Sequence, residues 1–91
     1  MELQFLKKGN EYEAEFVAYS DFNLHIEGVE EDDVLLYQKS VEDGEYAYVR
    51  GATPPNAYGE VYDAACSVLV PPIWLKITTN NMPTRAEVIF A

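Results

Sequence analysis

Three observations predict that this chain is all-β: a single small β-sandwich of about eight strands, jelly-roll-like in arrangement. Apolar and polar residues alternate with period two over most of the sequence. Turn-forming words interrupt the alternation roughly every ten residues. The only stretch with helical character, "EVYDAACSVL" at 60–69, has room for a turn or two around Ala64 and Ala65.

A first strand at 2–7 ends at "KGN" (8–10). "EYEAEFVAY" then sets Tyr12, Ala14, Phe16 and Ala18 on one side and Glu11, Glu13 and Glu15 on the other, as a strand between core and water requires. After "SD" at 20–21, "FNLHIE" turns Phe22, Leu24 and Ile26 inward and Asn23, His25 and Glu27 outward. Gly28 to Asp33 reads as the tip of a hairpin leading into a strand at 34–39, which is apolar on both sides because Leu35 and Tyr37 compete with Val34 and Leu36. "EDG" at 42–44 turns into a strand at 45–50, with Gly44 expected at positive φ, where a Cβ is costly. Beyond "ATPPN" (52–56) a strand is expected at 58–63 or at 65–70. The strand at 73–78 puts Ile73, Leu75 and Ile77 on the core side and Trp74, Lys76 and Thr78 on the other; "TNNMP" (79–83) then leads into a last strand at 85–90. One domain, 1–91, accounts for the chain, with no internal repeat.

The single cysteine, Cys66, rules out an intrachain disulfide, so packing or partner subunits must supply the stability. No apolar run reaches the roughly 20 residues of a membrane span, and the opening "MELQFLKKGN" lacks the apolar core of a secretion signal. A cytoplasmic site of synthesis and no membrane partner are the expectation. The net charge of −10 is lopsided: residues 1–45 carry 13 of the 16 acids, whereas residues 46–91 are neutral. Phosphate contacts need Lys and Arg, so nucleic acid is not an expected partner.

The run Glu30 to Asp33 is the obvious candidate for a cation. A Ca²⁺ loop alternates its oxygen ligands and bends at a glycine. "GVEEDDV" does neither, and no metal or cofactor is expected. His25 is the only histidine and reads as a solvated side chain; Cys66 reads as a small core filler. With no phosphate loop and no marked carboxylate pair, the chain reads as non-enzymatic. Parity places Trp74, Val17, Tyr19 and Ile89 on outer faces, and with Tyr37 they form the expected contact surface of a homo-oligomer. The alternative is a small carbohydrate-binding module in which exposed aromatic rings stack on sugar.

"DFNLHIE" (21–27), "YQKS" (37–40), "DGEY" (43–46) and "VPPIWLKI" (70–77) together resemble small uncharacterised β proteins of gut Bacteroidales phages and prophages. Where such proteins carry a Tyr-Pro or a lone proline before the last strands, this chain has Pro71-Pro72. The resemblance implies a virion-associated structural protein, a head decoration or fibre component that works as an oligomer, a trimer first, beside other virion proteins. It implies no catalytic residues. "SVEDGEY" (40–46) is similar to the S-x-D-G-x-x-W hairpin of discoidin-like jelly rolls, which implies a turn at Asp43-Gly44.

Overall fold

The alternating segments become strands in the computed structural model, which describes residues 1–29, 34–51, 57–58 and 61–91. Among these residues nine strands follow one another: β1 Leu6–Lys8, β2 Glu11–Ala18, β3 Phe22–Glu27, β4 Leu35–Lys39, β5 Ala47–Gly51, β6 Ala57–Tyr58, β7 Val61–Cys66, β8 Ile73–Thr79 and β9 Arg85–Phe90. They make two antiparallel sheets, one in the order β1-β2-β8-β4-β5 and the other β6-β7-β3-β9. The successions β2–β3, β3–β4, β5–β6, β7–β8 and β8–β9 all pass from one sheet to the other, the interleaving expected of a jelly-roll-like sandwich. The strand expected at 58–63 or at 65–70 is β7, Val61–Cys66, which pairs in register with β3, so the stretch with room for a helical turn is strand.

The core follows from the alternation. Ala14, Phe16 and Ala18 of β2 and Leu75 and Ile77 of β8 face Phe22, Leu24 and Ile26 of β3 and Val88 of β9, all buried. Phe16 meets Phe22 edge-on, with centroids 5.3 Å apart, and so locks the two sheets together near one end. Tyr62 is 1% exposed and fills the centre from β7. Each of the buried Val, Leu, Ile and Phe side chains contributes about 1.5–3 kcal/mol relative to exposure, and no disulfide assists them.

Two expectations are corrected. β3 and β4 are not a hairpin, because they belong to different sheets. Gly28 closes β3 at φ +81, and Thr84 N donates to Glu27 O beside it. Val29 and Val34 are both buried, so the connection is pinned to the core at either end. The acid run Glu30 to Asp33 itself lies outside the described residues, as does the segment 52–56. Gly44 does not take positive φ. The turn is instead closed by Gly44 N donating to Val41 O (3.0 Å), and glycine suits it because a Cβ would stand 2.7 Å from a Val41 methyl.

Candidate binding surfaces

The five expected contact residues lie on three different surfaces. Val17 and Trp74 are direct cross-strand partners on the outer side of the five-stranded sheet, where Tyr37 also lies, two residues before Lys39, the other partner of Trp74. Tyr19 stands 70% exposed just past the end of β2. Ile89 is on the outer side of the other sheet, opposite Asn23.

On the five-stranded side, "YQK" in β4 and "WLK" in β8 run antiparallel. Lys39 therefore falls beside Trp74, and Tyr37 beside Lys76. The result is a checkerboard of rings and ammonium groups. Tyr48 of β5 extends it, partnering Tyr37 with ring centroids 5.9 Å apart. Tyr46, two residues before Tyr48, lays its ring against both lysines: Lys39 Nζ is 4.5 Å and Lys76 Nζ 4.9 Å from its centroid. Lys76 Nζ is also 4.7 Å from the Tyr37 centroid. The Tyr46 hydroxyl donates to Glu15 Oε2 (3.2 Å), and partial burial, then the Glu15 carboxylate, push its pKa up to about 12. The sequence reading singled out Tyr37 and Trp74 and put Lys76 on the side of Trp74, but named neither the lysines nor Tyr46 and Tyr48 as contact residues. Their signal is the repeated word ring-x-Lys, or ring-x-ring in "YAY", which puts both members on one face of a strand.

The outer side of the four-stranded sheet is built differently. His25 of β3 sets Nδ1 2.5 Å from Asp63 Oδ1 of β7 and Nε2 2.8 Å from Glu27 Oε2, and the protonated ring donates to both. Arg85 of β9 lies 3.6 Å from Glu27 and 3.2 Å from Glu87. Two carboxylates that both accept from the imidazole favour its charged form, so the hydrogen bond to Asp63, then that to Glu27, raise the His25 pKa above 6.5 against a smaller opposing effect of burial. His25 is thus partnered at both nitrogens rather than simply solvated. Among the described residues no cluster of three or more His, Cys, Asp or Glu side chains is placed to hold a metal ion.

The third surface is the end of the sandwich where β7 stops and β8 starts. Asp21 anchors it, accepting from Val68 N through Oδ1 (2.7 Å) and from Ala91 N through its carbonyl (2.9 Å). Beyond Val68 the chain throws out Leu69 and Val70, 90% and 78% exposed, before the cis Pro71-Pro72 bond. Beside them a cleft of about 300 Å³ opens between the sheets, walled by Phe22, Leu36, Val49, Cys66 and Leu75. A second hollow of about 350 Å³ under Leu69 and Val70 shares Gln38, Ser67 and Ile73 with it. Cys66 is half-buried against the core, the filler role its surroundings suggested.

Comparison with family models, curated proteins and solved structures gives no match. Among the described residues no helix is long and apolar enough to cross a membrane.

Proposed function

We propose that the chain is a non-enzymatic structural subunit that assembles with copies of itself through the end of its sandwich where β7 stops and β8 starts. The observation that carries this is the pair Leu69 and Val70, both strongly exposed, bordering a mainly apolar hollow that Pro71, Pro72 and Ile73 also line. Two large aliphatic side chains projecting together are unfavourable in water unless a partner covers them. The sequence there agrees: from Ala64 to Leu75 it holds no charged residue, with Asp21 hydrogen-bonded beside it, although the chain as a whole carries −10. Mutual repulsion between copies is least where the acids are fewest. Projection and cleft share a border, so a closed head-to-tail ring can seat each copy's Leu69 and Val70 in the next copy's hollow. The likeness to phage and prophage β proteins suggests the setting, a head or fibre subunit, with three-fold order as the expected stoichiometry.

Sedimentation at rising protein concentration and moderate salt tests the reading. The wild type should run heavier than one chain, and Leu69→Ser/Val70→Ser should run as a folded monomer with unchanged circular dichroism. A wild type that stays monomeric at high concentration removes the proposal.

A further inference from the structure

The geometry of the five-stranded sheet's outer face points to a second function, on a surface separate from the assembly end: we infer that it binds a neutral oligosaccharide chain. Three features carry the inference. The rings are laid out as a platform, with Trp74, Tyr37 and Tyr48 on three adjacent strands and Tyr46 folded over the lysines between them. The cations on the platform are unusual for so acidic a chain, since among the described residues neither Lys39 nor Lys76 lies within ion-pair distance of a carboxylate. Tyrosine rings hold them instead, and a ring face leaves ammonium N–H groups free to donate elsewhere. Acceptors stand on the same face, in Glu13 and Glu15 of β2, with Glu15 already fixed by the Tyr46 hydroxyl.

Rings, donors and acceptors alternating at the spacing of neighbouring strands match a ligand that alternates apolar C–H faces with hydroxyl groups able to donate and accept. Other occupants fit less well. A flat protein surface would have to desolvate two ammonium groups and two carboxylates interleaved with the rings, at a cost that mutual pairing does not reliably recover. An anionic ligand would meet Glu13, Glu15 and the field of a chain at −10. A neutral sugar chain exchanges the water on each polar group for a hydroxyl and adds contact with the rings.

Affinity electrophoresis through gels holding galactomannan, xyloglucan, mixed-linkage glucan or α-mannan tests this. The fluorescence of Trp74, the sole tryptophan and a member of the platform, gives a second readout on titration with the same polysaccharides. At least one of the four should retard the protein and shift that emission. Tyr46→Ala and Lys76→Met should each weaken retardation by about tenfold or more, while Tyr19→Ala should retain it, with sedimentation unchanged in all three variants. Retardation by none of the four, equal retardation of Lys76→Met and wild type, or binding only to anionic polysaccharides such as alginate would each overturn the inference. So would a loss of self-association in Lys76→Met, which would make the face a contact between copies. The assembly reading is tested at Leu69 and Val70, so either can fail without the other.

Discussion

On the four-stranded side of the sandwich, His25 and Arg85 are held by Asp63, Glu27 and Glu87. On the five-stranded side, Lys39 and Lys76 are held by the rings of Tyr37 and Tyr46. Both faces arise from the same alternation, yet the first meets its hydrogen-bonding needs internally and the second leaves donors over. Neither contributes much to stability: exposed ion pairs bring about 0–1 kcal/mol and exposed cation–π contacts about 0.5–1 kcal/mol. The buried interior carries the fold, so the composition of each face is open to be set by what touches it.

Two glycines, one in a connection of each sheet, break the comparison hardest. Gly28 has φ +81, and a Cβ there would stand 2.7 Å from Thr84 Oγ1 and 2.8 Å from Thr84 N. Gly28→Val should cost about 3 kcal/mol or more in urea unfolding and loosen β3 from the start of β9. On the ring side, Gly44→Val should cost about 1–3 kcal/mol by overpacking, because the tightest contact is a Val41 methyl, which can move, and the backbone oxygen is at 3.2 Å. Equal losses at the two positions would show that the Gly28 backbone is unstrained.

Acidity separates the faces more finely. The His25 pKa is raised by folding, so its stabilising contribution is complete below about pH 6.5, where the unfolded chain is protonated too. It fades as pH rises through the folded value. Melting temperatures on either side of that range should show the wild type losing its advantage over His25→Gln as pH rises, whereas Tyr37→Phe should show no such trend. Asp63→Asn should bring the imidazole titration, followed by NMR, back toward 6.5. A pH-independent difference between wild type and His25→Gln would show that the carboxylates do not hold the ring in solution. The smallest effect is expected at Tyr46→Phe, which removes one partly exposed hydrogen bond of 3.2 Å and should change stability by no more than about 0.5 kcal/mol. The same variant should lose the phenol that titrates near 12 from the ultraviolet pH profile.

The sandwich was legible because its strands are half-buried. Period two in "EYEAEFVA" and "FNLHIE" decides both that they are strands and which side faces in, and β9 falls where the alternation puts it. The connections were less legible. A glycine followed by acids suits a hairpin and a crossing between sheets equally well, and only Val29 and Val34, buried at either end of the crossing, tell them apart. The outer faces were least legible, because each depends on registers between distant segments. His25 meets Asp63 across 38 residues of sequence, and the two ring-x-Lys words meet only because β4 and β8 pair. Parity could say that Trp74 and Lys76 share the outer side of one strand; it could not say that Lys39 would come beside Trp74 and Tyr37 beside Lys76.

The edge of β9 sets an order of events. Residues 1–3 pair along it, with Leu3 N donating to Ala86 O and Val88 N to Met1 O, while β3, on its other side, also waits for β7. In the five-stranded sheet β2 stays without β8 until residues 73–79 exist. On a ribosome adding about 5–20 residues per second, only the local pairs β1–β2, β4–β5 and β6–β7 can form early, and each leaves an apolar face uncovered. Residues 1–3 and β3 must therefore wait seconds for β9 to join them, and refolding belongs in the slow, millisecond-to-second regime of non-local β topologies.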